Sequence, residues 1–473
     1  RRCPAGAQAP AILAPSTACV MESMLKSCRH NGCGATVPCC LGYSGKIETL
    51  LGDLQVKKFL LSLFAVLLVQ PALTEERVAP AAAGFVAERL LRVDDAIVRD
   101  IENDKIAGAV ALVARDGNIV YHKALGYADI DARREMRTDD IFRIASMTKA
   151  VTSVGVMILY ERGHFQLNDP VSKYLPVFAN PQVAVAFDED GRVIETRQAT
   201  REISIVDLLA HASGISYGAF GGPLSRAYKA AEIIDGMTVA DITLGDVMQR
   251  LAKMPLMFDP GDRYEYGLNT DVLGYLIEVI SGKSLDQFFR DEIFEPLGMN
   301  DAHFYLPDDK ADRLVTLYAD VDGLKPSTGI EGDIILDDPD FPITGARAYF
   351  SGGAGLSATA YDYFRFIQML QNNGELDGVR ILGRKSVELM RSARVDLAGN
   401  GKPDFGMGFQ LTGDLGSAGE IGSPSAYAWG GAFNSTYWID PEERLVAVFM
   451  SNVRPYDTDI RLRFRTAVYQ ALE

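Results

Sequence analysis

Beyond residue 40 the sequence has no cysteine. All six of its cysteines (Cys3, Cys19, Cys28, Cys33, Cys39, Cys40) lie ahead of that point in a chain of 473 residues. The remaining length therefore has no disulfide framework and must rest on an ordinary apolar core. Cys28, His30, Cys33, Cys39 and Cys40 are zinc-type donors, but paired CxxC knuckles are missing and no periodic core surrounds them. They read as free thiols in an unstructured leader, residues 1–55. Histidine is scarce, five in all, with no HExxH pair or close ligand spacing, so no metal site is expected. Basic runs with interleaved aromatics are also missing. A net charge of −16 repels nucleic acid and anionic lipid, which removes nucleic acid as a partner. There is no Walker loop and no GxGxxG fingerprint; Gly352-Gly353-Ala354-Gly355 is a glycine-rich loop only.

Long apolar runs are lacking too. The run Phe59–Val69 has eleven residues. As a helix it would span about 17 Å, short of a bilayer core of about 30 Å. Val56-Lys57-Lys58 before it and Gln70-Pro71-Ala72-Leu73 after it give the pattern of a secretory signal. Residues 56–83 are therefore expected to be signal and linker, with small residues from Ala79 to Ala83 offering cleavage positions. The mature protein is expected to be secreted or periplasmic, without a stable membrane anchor. An export signal belongs at a chain start, so residues 1–55 read as upstream sequence and the natural start as near Val56.

What is present is globular: 48% hydrophobic and 23% charged residues, enough for a large core. The ordered part is expected from about Phe85. Phe85–Ile101 is amphipathic at helical period, and Ala109–Ala114 and Ile119–Ala124 read as strands joined by a hairpin turn at Arg115-Asp116-Gly117-Asn118. Residues 146–162 form a helix apolar nearly all round, hence buried. Residues 177–255 read as charged loops and short helices. Further helices are expected at 204–210, 270–281 and 284–294. Tyr427–Ile439 and Arg444–Met450 read as strand, separated by the Asp440-Pro441-Glu442-Glu443 turn, and a last helix covers Ile460–Leu472. Strands at both ends and helices between them predict an α/β (α+β) chain: an antiparallel sheet flanked by helices (84–140 and 335–473) beside a mostly helical part (141–334).

The chemistry-bearing stretch is FRIASMTKAVTS, residues 142–153, which holds Ser146 three residues before Lys149. On a helix that spacing puts both side chains on one face, about 5–6 Å apart at Cβ. A serine hydroxyl is a poor nucleophile until a base takes its proton. An amine does so in its uncharged form, which apolar surroundings favour. Ser146 also sits at a helix N-terminus, where free N–H groups favour an oxyanion. The same serine reads equally well as a simple N-cap. Tyr266, in PGDRYEYGLNTDVLG (260–274), stands just before a helix, where its phenol can share a proton with an amine or merely fill a core. Trp429-Gly430-Gly431-Ala432 opens a strand run whose glycines permit close backbone approach to a substrate, or mark a bulge.

In this order, these three stretches resemble the serine β-lactamase and penicillin-binding-protein superfamily, and within it the family VIII carboxylesterases. The likeness covers roughly residues 85–473 and extends to Ile106–Val110, Leu208–Gly214, Pro296–Met299 and Ser351–Leu356. It implies a β-lactamase/transpeptidase-like fold. Ser146 is then the acylated nucleophile, Lys149 its base and Tyr266 the proton relay, here in Tyr-Gly-Leu where class C β-lactamases have Tyr-x-Asn. The oxyanion is implied between the backbone N–H groups of Ser146 and Ala432. Trp429, Gly430 and Gly431 become the substrate-binding third motif, at the place where lactamases carry Lys-Thr-Gly. Tryptophan cannot pair with an antibiotic's carboxylate, which points to neutral, short-chain esters, with β-lactam hydrolysis as a side activity. No metal or organic cofactor is implied. The alternatives are a class C-like β-lactamase, a D-amino acid peptidase, or a non-catalytic ligand-binding domain. A rival serine, Ser216 in Gly214-Ile215-Ser216-Tyr217-Gly218, fits GxSxG formally but follows a helix rather than an apolar strand, with only His303 downstream as a partner.

Overall fold

The computed structural model describes residues 77–189, 192–327 and 341–473. The cysteine-bearing leader, the signal-like run and the expected boundary at 335 lie outside the described residues.

A seven-stranded antiparallel sheet organises the molecule. Its strands are β1 (Gly108–Arg115), β2 (Asn118–Asp129), β3 (Arg134–Glu135), β4 (Gln410–Leu411), β5 (Tyr427–Gly431), β6 (Ser435–Asp440) and β7 (Leu445–Met450), in the order β4-β5-β6-β7-β1-β2-β3. The chain's two ends meet at the β1–β7 pair, with Val110 opposite Met450 and Leu112 opposite Val448. β1 is buried along nearly its whole length, and its alternation explains why. Val110, Leu112 and Ala114 enter one apolar cluster; Ala109, Ala111 and Val113 enter another on the opposite face. The second cluster is covered by α1 (Arg92–Glu102) together with the last helix, whose Phe464 and Val468 are fully buried.

The first cluster continues into the helical region. There α2 (Thr148–Glu161) is buried at every position from Thr148 to Leu159, as an all-round apolar sequence requires. It packs on α3 (Asn269–Ser281), while α4 (Ala360–Gln371) covers β7 and β1. Sheet and helices thus share one core, and the fold is a mixed α/β one with an antiparallel sheet. Among the described residues no helix is long and apolar enough to cross a membrane.

Three local expectations are corrected. Phe85–Ile101 is not one helix: it breaks at Leu91, which is 52% exposed, and Phe85 instead bridges to Leu472. Residues 177–255 hold a two-stranded hairpin, Gln182–Phe187 with Val193–Gln198; most of its side chains are at least partly exposed, so no buried alternation advertises it. The run Tyr427–Ile439 is a hairpin, with Asn434 at φ 64° in the turn. Trp429-Gly430-Gly431 accordingly closes β5 rather than opening a longer strand.

Candidate active site

Ser146 lies in a short 3-10 turn, Ala145–Met147, that runs straight into α2. The turn is held from both sides. Ile144 donates its N–H to Leu356 O, and the Tyr363 hydroxyl donates to Met147 O. Ala145 has φ 44°, the left-handed region that costs an alanine about 1–2 kcal/mol. The N-cap role is not taken: no side chain caps α2. Ser146 Oγ is instead 3.2 Å from Lys149 Nζ and accepts a hydrogen bond from the Tyr266 hydroxyl at 2.7 Å. One turn of helix brings the amine to the serine, and the loop ahead of α3 brings the phenol. The Lys149 Nζ is also 4.7 Å from the centroid of the Tyr266 ring.

Lys149 is 1% exposed, and its amine stands within hydrogen-bond reach of three oxygens. Besides Ser146 these are the Tyr217 hydroxyl at 3.1 Å and Gly353 O at 2.7 Å. Tyr217 was visible in the sequence only as a neighbour of the rival Ser216. Burial, with Tyr266 and Asp271 adding to it, pushes the Tyr217 phenol well above its ordinary pKa, so it stays neutral. Gly353 is positioned by Asp271 on α3, whose Oδ1 accepts from Ser351 Oγ at 2.6 Å and from Gly353 N–H at 3.3 Å. A Cβ on Gly353 would stand 2.4 Å from Asp271 Oδ2, so any side chain there would displace the Asp271 carboxylate. His211 is fully buried with its ring centroid 5.0 Å from that of Tyr266. Burial, then the Lys149 charge, drives it well below its usual pKa, so a neutral imidazole backs the phenol.

The rival serine is disposed of by its contacts. Ser216 Oγ donates to Glu265 Oε1 at 2.6 Å, while His303 stands by Lys310 at 3.1 Å. Among the described residues no histidine is a hydrogen-bond partner of Ser216.

β5 closes the other side of the site. Its end packs on the Ser146 turn so tightly that a Cβ on Gly431 would lie 2.5 Å from Ile144 O. Ser146 and Ala432 then line one cleft of about 1320 Å³ together with Tyr266, Trp429, Gly430 and Gly431. Among the described residues neither Ser146 N–H nor Ala432 N–H has a backbone acceptor. Trp429 stacks obliquely on Tyr266, centroids 5.6 Å apart, and edge-on to Phe405 at 5.3 Å. Phe220, 56% exposed, completes an aromatic rim beside Tyr266 and Tyr217. A hydroxyl held between an amine and a phenol, with two unengaged N–H groups in the same cleft, has the parts that acyl transfer needs.

The chain is similar to several known proteins. The family described as Beta-lactamase matches residues 93–471. Esterase EstB of Burkholderia gladioli is 31% identical over 404 residues, which cover 82% of this chain and 96% of EstB. Lovastatin esterase of Penicillium rubens is 28% identical over 398 residues, 78% of this chain and 96% of that one. The solved structure of EstCE1, a hydrolase with promiscuous acyltransferase activity, superimposes with a TM-score of 0.70 at 30% identity, covering 81% of this chain and 99% of EstCE1. The family match takes in the Ser146 turn, the Tyr266 loop and the Trp429 strand as one span, and the chain belongs to the β-lactamase family.

Proposed function

We propose that the protein is a carboxylesterase: a serine hydrolase that cleaves short-chain carboxylic esters through an acyl-enzyme on Ser146. One observation carries the reading: Ser146 Oγ stands between the Lys149 amine at 3.2 Å and the Tyr266 hydroxyl at 2.7 Å. The Lys149 amine, with the phenol, takes the Ser146 proton as Oγ attacks the ester carbonyl. The N–H groups of Ser146 and Ala432 receive the oxyanion. Collapse breaks the ester C–O bond, and the alcohol leaves with a proton delivered through Tyr266. Water then attacks the acyl-serine, the same pair takes its proton, and the acid departs as Ser146 Oγ is reprotonated. No cofactor enters these steps. The esterase relatives and the apolar Trp429 wall favour esters over β-lactams, which undergo the same acylation and are expected as poor substrates. The signal-like run Phe59–Val69 supports export to the periplasm or medium; N-terminal sequencing of the protein recovered from its host tests that.

The test of the reaction is intact mass after brief exposure to p-nitrophenyl butyrate, with peptide mapping of the adduct. A butyryl adduct on Ser146, absent in Ser146→Ala and retained in Ser216→Ala, is expected. An adduct on any other residue would sink the assignment.

A further inference from the structure

The cleft does not end at Ser146. It runs past Gly430 to Arg454, Tyr456 and the first turn of α5 (Ile460–Tyr469). Three arginines of α5 stand near one another, and two are engaged. Arg463 pairs with Asp100 and Asp459, and Arg465 lies 3.6 Å from Glu420 while donating to Ile421 O at 2.8 Å. Arg461 differs: among the described residues it has no carboxylate partner. Its guanidinium lies over the Tyr456 ring, 5.2 Å from the centroid. Its Nη1 is 3.0 Å from where a Cβ on Gly430 would stand, so it reaches across the strand that flanks Ser146. The acidic groups on the cleft wall are already in use: Asp414 is 3.5 Å from Lys402, Glu420 faces Arg465, and Asp404 accepts from Leu397 N–H at 2.6 Å. A half-buried guanidinium inside a substrate cleft, oriented by an aromatic face and without a carboxylate partner among the described residues, is a receptor for an anion.

We propose that Arg461 is a specificity residue, and that the preferred substrates are esters carrying a carboxylate a few carbon atoms from the reacting carbonyl. This rests on the acyl-enzyme reading and deepens it. Gly430 and Ala432 are two residues apart, roughly 7 Å along a strand, so an anion on Arg461 and a carbonyl at the Ala432 N–H fit one short dicarboxylate half-ester. From sequence alone, Trp429 argues for neutral esters, because the motif itself has no cation. The last helix supplies one over the neighbouring glycine, as a bidentate fork rather than a point charge.

The test compares kcat/KM on p-nitrophenyl butyrate with that on mono-p-nitrophenyl glutarate, and on p-carboxyphenyl butyrate, which places the anion on the alcohol side. In the wild type one of the two anionic esters is expected to exceed the neutral one. That ratio should fall about 10- to 100-fold in Arg461→Gln, mainly through KM, and be partly kept in Arg461→Lys. Salt should compress the wild-type ratio, since screening acts over about 8 Å at 0.15 M; that measurement needs no variant and stands even if Arg461→Gln does not fold. A wild-type ratio near one for both anionic esters, or one that Arg461→Gln leaves unchanged, overturns the proposal. Turnover of the neutral ester that persists in Ser146→Ala would instead overturn the acyl-enzyme reading beneath it.

Discussion

The hydroxyl of Tyr217 lies 3.1 Å from the amine of Lys149, and so completes a set of three oxygens around a side chain that is otherwise buried in a helix. The tyrosine motif here ends in Leu268, where class C β-lactamases carry asparagine, and a leucine offers the amine nothing. Tyr217 provides a polar contact from a different loop. Because burial keeps its phenol neutral, it acts as a fixed partner that orients the amine toward Ser146. Tyr217→Phe keeps the ring packed on Tyr266 and Phe220 and removes one neutral hydrogen bond. We expect kcat to fall about fivefold with KM little changed, in line with about 1 kcal/mol for such a bond. Unchanged kcat on p-nitrophenyl butyrate would show that the contact does not position the amine.

Tyr266→Phe should cost more. That hydroxyl is 2.7 Å from Ser146 Oγ, the proposed nucleophile, and proton transfer by a placed group is worth about 10²–10⁴ in rate. The phenylalanine retains the contacts with Trp429 and His211, so KM should hold while kcat collapses. Single-turnover rates for the two tyrosine variants rank them directly. Equal losses would mean that Tyr266 merely positions.

The contrast between these tyrosines also shows what the sequence could reveal. Ser146, Lys149 and Tyr266 were legible because a helix repeats every 3.6 residues and because three stretches recur in a known order. The sheet was legible where burial imposes alternation, as along β1. Tyr217 was not, because nothing in a linear spacing says that a loop 68 residues on will fold back over Lys149. The exposed hairpin at 182–198 was missed for a related reason: strands that bury little carry little pattern. Arg461 was invisible as well. Its significance lies in its place in the cleft without a carboxylate partner among the described residues, and only three dimensions display that.

Gly431→Ala tests how closely β5 must approach the Ser146 turn. The added Cβ would stand 2.3 Å from Ser435 Oγ and 2.5 Å from Ile144 O. The hydroxyl can rotate away, but the carbonyl belongs to the backbone just before Ala145 and Ser146. Strand and turn must therefore part, which costs about 1–3 kcal/mol and widens the gap between the Ser146 and Ala432 N–H groups. We expect a lowered Tm and a loss in kcat of about 10²–10³, the size seen when one oxyanion donor is lost. A fall in Tm with kcat intact would place the oxyanion site elsewhere.

A final prediction concerns Asp235, behind the loop that carries Tyr217. Its Oδ1 accepts Gly218 N–H at 2.9 Å, while its Oδ2 is buried without a hydrogen-bond partner. Burial pushes its carboxyl up to about 6; nearby Asp271 adds to the rise, and the Gly218 and Ala219 amides and Lys229 oppose it. Between the ordinary carboxylate range and about 6, the folded chain holds a proton that the unfolded chain has already lost. Folding is thus favoured at the acid end of that window, and the contribution is lost as pH rises through about 6. Asp235→Asn has no such proton to lose. Urea unfolding of the two proteins from pH 4 to 8 should therefore show the wild type losing stability relative to the variant as pH climbs, by up to roughly 3 kcal/mol, with most of the change complete by about pH 7. Stability curves that run parallel across that range would mean that Asp235 ionises as an ordinary surface carboxylate does, and that its unpartnered oxygen is solvated.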